Sequence, residues 1–178
     1  RHFYILLAET SYEKRYHQLA KRCATVLNYC DVSFFNPYHM QQKGDGKHLF
    51  YIGIILENRG ILQIIEALYL LRQKGEVFHF HCVGELYTDL NHKIMALPYY
   101  KEVEQQLHFH GRLPLEKGYE IATGCSTGLC IIWPMKNSTD SYPTKLFEYM
   151  AIGLPVITSD FPLYKSVIEG NNCGLCVD

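Results

Sequence analysis

Short apolar runs alternate along the chain with amphipathic segments of helical period, the arrangement of a parallel sheet covered by helices on both faces. The runs predict strands at residues 3–8, 25–28, 49–55, 77–83, 107–110, 128–133, 155–159 and 174–177. Helices are predicted at residues 11–20, 59–73, 88–97, 100–106, 114–123, 144–152 and 163–169. From residue 48 onward the pattern predicts an α/β fold with a doubly wound, mainly parallel six-stranded sheet of the Rossmann-like class. In such sheets the ligand site lies at the carboxyl ends of the strands.

A polar, irregular stretch over residues 31–47 separates two parts of unequal regularity. We therefore expect residues 1–28 to be a remnant of a preceding domain, residues 29–47 a linker, and residues 48–178 the main domain. The chain begins at an arginine and ends directly after a predicted strand. These ends suggest that the main domain is truncated at its carboxyl terminus and that the native protein is longer.

Composition narrows the class of protein. Hydrophobic residues make up 48% of the 178 residues, which is enough for a packed core. The net charge of −1 argues against a nucleic-acid partner bound by phosphate neutralisation. No apolar run is long enough to span a bilayer. The 7 cysteines are an odd number, and several lie inside apolar runs, so we expect reduced thiols and a cytoplasmic protein.

The stretch from Asp140 to Val156 carries the most informative polar residues. A predicted strand leads through a polar loop into a helix that opens at Pro143 and Thr144. The first turn of a helix presents free N–H groups and the positive end of the helix dipole, so it favours anions. Lys145 and Glu148 fall on one side of this helix, which suits a phosphate beside a sugar diol. Their spacing alone favours the simpler interpretation of a solvent-exposed ion pair.

A second strand-to-helix junction carries Gly53, Arg59 and Gly60. A glycine at a strand end allows a ligand to approach the backbone, and a guanidinium can donate two hydrogen bonds to phosphate oxygens. The glycine spacing is not that of a dinucleotide-binding fingerprint. Taken alone, this segment is better explained as a surface arginine beside a turn glycine.

Together these segments resemble the carboxyl-terminal, donor-binding domain of retaining glycosyltransferases of family 4, enzymes with two Rossmann-like domains and the GT-B fold. The family's strand–Gly–loop–basic–Gly motif matches Gly53, Arg59 and Gly60. Its second conserved acid and the Met-Ala-x-Gly-x-Pro-Val segment match Glu148 and residues 150–156, and residues 143–150 resemble bacterial surface-polysaccharide members. The segments around His108–Gly111 and Glu169–Gly174 also resemble the family, so the likeness extends over residues 25–178.

The resemblance implies roles for individual residues. Arg59 and Lys145 would hold the donor diphosphate, Glu148 the donor ribose, and Asp140 would lie near the transferred sugar. The backbone of Gly111, Arg112 and Leu113 would border the nucleobase. The donor would also contact the two junctions at Gly53, Gly60, Pro143 and Thr144.

The same resemblance implies the reaction and the partners. A nucleotide-sugar donor would pass a hexosyl unit, with retention, to a sugar or lipid-linked acceptor in polysaccharide or glycolipid synthesis, and no metal or other cofactor is required. The acceptor would bind the missing amino-terminal domain, so this fragment alone would be inactive. The full-length enzyme would be cytoplasmic, and its peripheral association with the inner face of the membrane stays an open alternative.

Two positions depart from the family pattern. The first acid is Asp140 instead of glutamate, and Ile54 replaces the arginine that often follows the first glycine. These departures keep open a non-catalytic binding or scaffold domain of the same fold. A nucleotide-sugar epimerase of the same architecture is a third alternative.

Two further patterns carry metal-binding spacing. His79 with His81, and His108 with His110, place imidazoles on one face of neighbouring strands, which we expect helices to cover. Cys173 and Cys176 have the spacing of redox or zinc motifs but lack a second pair. We expect ordinary packed side chains at both places, and no metal site.

Overall fold

The computed structural model describes residues 4–9, 11–16, 23–39, 45–135 and 138–178. Short 3₁₀ turns cover Asn36–Tyr38, Glu57–Arg59 and Glu104–Gln106. In chain order the remaining elements are β1 (Ile5–Leu7), α1 (Ser11–Tyr16), β2 (Cys23–Thr25), α2 (Val32–Phe35), β3 (His48–Ile52), α3 (Ile61–Gln73), β4 (His79–Val83), α4 (Thr88–Met95), α5 (Tyr100–Val103), β5 (Leu107–Phe109), α6 (Leu115–Ala122), β6 (Thr127–Cys130), α7 (Thr144–Ala151), β7 (Val156–Ser159), α8 (Pro162–Ile168) and β8 (Gly174–Val177).

Six parallel strands form the main sheet in the order β5-β4-β3-β6-β7-β8. The chain starts in the middle of the sheet, builds outward to one edge, and then returns to build the other half, as in a doubly wound fold. This confirms the predicted fold class. The direction of building reverses between β3 and β6, so the carboxyl ends of these two strands flank the position where such sheets bind ligands.

Helices pack on both faces of the sheet, over two separate apolar clusters. Helices α3, α4 and α5 cover one face through side chains including Ile65, Ile94 and Val103. Helices α6, α7 and α8 cover the other through Tyr119, Tyr149 and Tyr164. Apolar residues recur at helical spacing along α3, and of these Ile61, Ile64, Ile65 and Leu68 are buried, whereas Leu71 is half-buried. The sheet is therefore a buried platform whose strand ends carry the loops.

Strands β1 and β2 form a separate two-stranded parallel sheet. β2 begins at Cys23 and ends at Thr25, so the strand predicted at residues 25–28 lies too late in the sequence. The ladder ends there because its partner β1 ends at Leu7, opposite Thr25. Residue 3 of the first predicted strand and residues 17–20 of the predicted helix 11–20 lie outside the described residues.

The segment predicted as irregular contains α2 and the 3₁₀ turn Asn36–Tyr38, so that prediction is wrong here. The Asp31 side chain accepts a hydrogen bond from the backbone N–H of Ser33 at 3.0 Å and thereby caps α2. Phe35 is buried, with its ring centroid 4.8 Å from that of Tyr119. Part of the predicted linker thus packs on the main domain, and the division into domains stays a prediction. Residues 40–44 lie outside the described chain.

Helix α7 is fixed against the sheet by Tyr149. The Tyr149 hydroxyl accepts a hydrogen bond from the backbone N–H of Ile52 at 3.2 Å. Its ring packs so closely on Gly128 that a Cβ at Gly128 would approach the Tyr149 ring to 2.6 Å. A larger residue at position 128 would therefore push α7 away from the sheet.

Among the described residues, no helix has the length and apolar character needed to cross a membrane. Cys30, Cys82, Cys125, Cys130, Cys173 and Cys176 are free thiols. Burial raises the pKa of Cys173 and Cys176, so neither thiol is activated.

Candidate functional site

The two strand-to-helix junctions converge on one open hollow of about 320 Å³. Arg59 and Lys145 both line it. Its wall also contains Tyr51, Gly53, Ile54, Ile132, Met135, Ser138, Ser141, Pro143, Thr144 and Tyr164. The structure therefore brings together the two cations that the sequence analysis placed on separate junctions.

The periodicity predicts a helix that begins at Arg59, but α3 begins later. Arg59 ends the 3₁₀ turn Glu57–Arg59, and Gly60 separates it from α3, which begins at Ile61. Gly60 has a φ of 69°, and a Cβ there would lie 2.4 Å from Ile131 Cγ2. Only glycine fits this left-handed, closely packed position, which fixes where Arg59 enters the hollow.

The ammonium group of Lys145 lies at the end of β3, over the ring of Tyr51, with Nζ 4.0 Å from the ring centroid. Gly53 leaves room for it, since a Cβ at position 53 would lie only 3.0 Å from Nζ. Burial lowers the pKa of Lys145, and the nearby positive charge of Arg59 lowers it further. Both effects penalise the ammonium form and would be relieved by a bound anion.

Neither Arg59 nor Lys145 forms an ion pair within the part of the chain that the structure describes. Helix α7 begins in the same hollow after Pro143, and no side chain caps its first turn. Two unpaired cations and a helix amino terminus thus face one space. This arrangement favours an anion with several oxygen atoms, such as a diphosphate.

Tyr51 was missed by the sequence analysis. Its hydroxyl donates a hydrogen bond to the backbone carbonyl oxygen of Ile54 at 2.7 Å, so the ring is held under Lys145. Burial raises the pKa of Tyr51, which keeps the hydroxyl protonated. Strand alternation could have shown that Tyr51 is buried, but it could not have shown contact with Lys145.

Glu148 does not form the exposed ion pair with Lys145 that their spacing favours. Its carboxylate turns toward α6, where Oε2 accepts a hydrogen bond from the Tyr119 hydroxyl at 2.6 Å. Glu148 is half-buried and is not part of the wall of the hollow around Lys145. The reason is a buried tyrosine, Tyr119, that helical spacing within α7 cannot reveal.

A second hollow of about 420 Å³ adjoins the first, because Gly53 and Ile54 line both. Arg112, Leu113, Gly84 and Glu85 lie in its wall. Gly111 is not in that wall, but its carbonyl oxygen accepts a hydrogen bond from the Gly84 N–H at 2.9 Å. The strand ends of β4 and β5 are thereby tied together beside this space.

Asp140 lies apart from the first hollow. It lines a third hollow together with Glu9, Thr139 and Tyr142. Glu9, which the sequence analysis missed, accepts a hydrogen bond from the Tyr142 N–H at 3.3 Å, and burial raises its pKa. The two acids thus face a space about which the sequence pattern gave no information.

Five histidines, His48, His79, His81, His108 and His110, lie side by side across β3, β4 and the end of β5. Their rings are hydrogen-bonded in pairs. Nδ1 of His81 lies 3.2 Å from Nε2 of His110, and Nδ1 of His79 lies 3.0 Å from Nε2 of His108. They are half-buried, so helices cover this part of the sheet less completely than expected. Among the described residues, no group of three or more His, Cys, Asp or Glu side chains is arranged to hold a metal ion.

Comparison with known proteins gives matches along most of the chain. The family model described as "Glycosyl transferases group 1" matches residues 38–178. Amylovoran biosynthesis glycosyltransferase AmsK of Erwinia amylovora is 28% identical over 124 residues, which cover 67% of this chain and 29% of that relative.

Solved structures share the fold at low sequence identity. A variant of S. aureus TarM, in complex with UDP and other ligands, matches with a TM-score of 0.72 and 17% identity over 97% of this chain and 33% of its own. Sucrose-phosphate synthase from Thermosynechococcus elongatus matches with a TM-score of 0.71 and 14% identity over 98% of this chain and 45% of its own. Anabaena HepE in complex with UDP has a TM-score of 0.71 and 12% identity over 97% of this chain and 49% of its own.

This chain spans less than half the length of each of these proteins. The family match covers most of the residues described, including both junctions and α7. The chain therefore belongs to the group 1 family of glycosyltransferases.

Proposed function

We propose that this chain is the donor-binding part of a glycosyltransferase, and that the space between Arg59 and Lys145 binds the diphosphate of a nucleotide-sugar. The observation that carries the proposal is the buried ammonium group of Lys145, which has no carboxylate partner in the described structure. A buried charge that lacks a partner is costly. A bound diphosphate would supply the missing counter-charge.

The arrangement also suits the chemistry of sugar transfer. As the bond between the anomeric carbon and the diphosphate breaks, negative charge grows on the departing phosphate. Arg59, Lys145 and the first turn of α7 line the same hollow, so they would stabilise a leaving phosphate bound there. These groups supply the positive charge, so the proposed step requires no metal ion.

Lys145 also compensates for the absence of an arginine at position 54. Its Nζ lies beside Gly53, directly before Ile54, so a cation from α7 occupies the end of β3. Ile54 itself is 64% exposed and borders both hollows. We propose that Lys145 supplies the positive charge beside position 54, where the family often has an arginine.

The second hollow would hold the nucleoside. It adjoins the first at Gly53, and its wall contains Arg112 and Leu113. We propose that the base lies there and that Glu148 binds the ribose hydroxyls. The nucleotide in the structures of TarM and HepE is UDP, which makes a uridine nucleotide the first donor to test.

The finer reaction follows from the resemblance and from AmsK, whose name refers to the biosynthesis of amylovoran. We propose transfer of a hexosyl unit, with retention at the anomeric carbon, during polysaccharide or glycolipid synthesis. The acceptor would bind a second domain, so this chain alone would bind donor without transferring sugar. Asp140 is proposed to act near the transferred sugar only if that domain brings the third hollow toward the donor.

A second candidate is a nucleotide-binding domain that has lost transferase activity. It is favoured by the placement of Asp140 away from the first hollow and by Ile54. Assay of the full-length protein with UDP-hexoses separates the two candidates. Sugar transfer supports the enzyme, whereas tight UDP binding without transfer or donor hydrolysis supports the binding domain.

Calorimetric titration of the chain with UDP and GDP tests the site. We expect binding of at least one nucleotide, and a loss of about 10-fold or more in affinity for Arg59→Ala and for Lys145→Ala. Lys101→Ala is the matched control, because Lys101 is exposed and pairs with Glu104 on the surface at 2.8 Å. Unchanged affinity in both site variants, or an equal loss in the control, would remove the site assignment.

A further inference from the structure

Tyr119 connects α6 to the proposed ribose-binding carboxylate without lining any of the hollows described above. Its side chain is completely buried, and its hydroxyl donates a 2.6 Å hydrogen bond to Glu148 Oε2. The two residues are 29 positions apart in the sequence, on α6 and α7. The contact therefore depends on how these two helices pack over the sheet.

The Tyr119 ring is held on several sides by aromatic neighbours. Phe35 packs edge-to-face against it at 4.8 Å between centroids, Phe50 lies at 6.1 Å, and Tyr38 lies at 6.2 Å. A ring enclosed in this way has little rotational freedom. The direction of the hydroxyl, and hence the position of the carboxylate oxygen it contacts, is set by the core.

The Glu148 carboxylate makes no second hydrogen bond within the described residues, so Oε1 is available to a ligand. Burial raises the pKa of Tyr119, and the negative charge of Glu148 raises it further. Tyr119 therefore remains a protonated donor. An ionised carboxylate with one oxygen engaged by a fixed donor presents its other oxygen in one orientation.

We propose that Tyr119 is a positioning residue that orients Glu148 so that Oε1 accepts a hydrogen bond from a ribose hydroxyl of the donor nucleotide. This inference rests on the proposed function, because it assumes that a nucleotide binds beside Glu148. It assigns to Tyr119 a role in selecting ribose, in addition to its place in the core. Phe35, in the segment preceding β3, would contribute indirectly by fixing the Tyr119 ring.

The test compares UDP with 2′,3′-dideoxy-UDP, which keeps the base and the diphosphate but lacks both ribose hydroxyls. Dissociation constants are measured by calorimetry for the unmodified chain, Tyr119→Phe, Glu148→Gln and the double variant. We expect the unmodified chain to prefer UDP, and Tyr119→Phe to weaken UDP binding by about 5- to 10-fold. The affinity of Tyr119→Phe for the dideoxy nucleotide should stay within about 2-fold of that of the unmodified chain, since loss of the tyrosine hydroxyl leaves the diphosphate contacts unchanged.

The double variant should bind UDP no more weakly than Glu148→Gln alone, because Tyr119 acts through Glu148. Thr158→Val is the structural control. Thr158 is also fully buried, and its hydroxyl donates to the Cys130 carbonyl oxygen at 2.9 Å on another part of the sheet. This control should lower the unfolding temperature without changing the ratio of the two nucleotide affinities.

The outcomes separate this inference from the proposed function. If the unmodified chain binds neither nucleotide, the proposed function is wrong, and the role of Tyr119 with it. If Glu148→Gln loses the preference for UDP but Tyr119→Phe keeps it, the site stands and Tyr119 is only a core residue. Equal weakening of both nucleotides by Tyr119→Phe would also overturn the positioning role.

Discussion

The ammonium nitrogen of Lys145 lies 4.0 Å above the centroid of the Tyr51 ring, inside the hollow that both residues line with Arg59. An aromatic face attracts a cation most strongly where water is excluded. Tyr51 is 2% exposed, so the contact is largely desolvated. The ring thus keeps a charged lysine in place before any anion arrives.

Replacing Tyr51 should weaken diphosphate binding when the ring is lost and preserve most of it when only the hydroxyl is lost. We expect Tyr51→Leu to lower UDP affinity by about 10-fold, since a desolvated cation–π contact contributes about 1–2 kcal/mol. Tyr51→Phe keeps the ring under Lys145 and should change affinity by less than about 3-fold. Calorimetric titration of both variants checks this, and equal losses would show that the ring does not hold Lys145.

The contact between Gly128 and Tyr149 leads to a prediction about stability. A methyl group at position 128 would approach the Tyr149 ring to 2.6 Å, so Gly128→Ala must displace α7 or strain the sheet. We expect the free energy of unfolding to fall by about 1–3 kcal/mol, as for other overpacked cores. Urea unfolding followed by circular dichroism measures the loss.

Gly124→Ala provides the matched control for that experiment. A Cβ at Gly124 has its nearest contact at 3.6 Å, an ordinary van der Waals distance. Its free energy of unfolding should change by less than about 0.5 kcal/mol. If the two variants are equally stable, the packing of Tyr149 on Gly128 does not limit the size of residue 128.

The cluster of histidines predicts that the domain loses stability in mild acid. Burial, together with the neighbouring His108, His48, His110 and His79, lowers the pKa of His81 to about 4. An unfolded histidine has a pKa of about 6.5. Between these two values the unfolded chain binds a proton that the folded chain does not, so stability is full above about pH 6.5 and falls as the pH approaches 4.

The size of this loss is modest because His81 is only half-buried and solvent screens its neighbours. We expect His81 to account for about 1 kcal/mol between pH 7 and pH 5. His81→Phe should flatten the pH dependence of the urea midpoint over this range, whereas His92→Gln, an exposed position on α4, should leave it unchanged. An identical slope in the unmodified chain and His81→Phe would show that His81 is not the responsible group.

The sequence predicts the fold well because each element carries its own local pattern. The apolar spacing of residues 61–71 marks α3. The strand predicted at residues 49–55 runs past Gly53, whereas β3 ends at Ile52. The aromatic segment of residues 32–38 was missed because Phe35 is buried only through contact with Tyr119, a residue far along the chain. Local patterns cannot show which polar-looking segment will dock on the core.

Local patterns also predicted only part of the candidate site, namely the positions of its two cations. Arg59 and Lys145 could be placed at strand-to-helix junctions, and parallel strand ends meet at one edge of a sheet. The partners of these side chains depend on tertiary packing. Tyr51 beneath Lys145 and Tyr119 beside Glu148 arise from contacts across the sheet and between helices, which no spacing within one helix encodes.

The relation between Lys145 and position 54 leads to a prediction of rescue. Lys145→Ala should lose most UDP affinity, since it removes one of the two cations in the hollow. Ile54 borders the same hollow and is exposed, so an arginine side chain at that position can reach the vacated space without disturbing the core. We expect Lys145→Ala combined with Ile54→Arg to bind UDP at least about 5-fold more tightly than Lys145→Ala alone.

Arginine at position 54 in the unmodified background distinguishes rescue from general attraction. With Lys145 present, a third cation would meet two like charges in a partly buried space, so Ile54→Arg alone should gain much less affinity than it does in the Lys145→Ala background. Titrations of all four combinations, repeated at two salt concentrations, measure this coupling. Equal gains in both backgrounds would mean that Lys145 and residue 54 act independently, and Lys145 would then not replace the missing arginine.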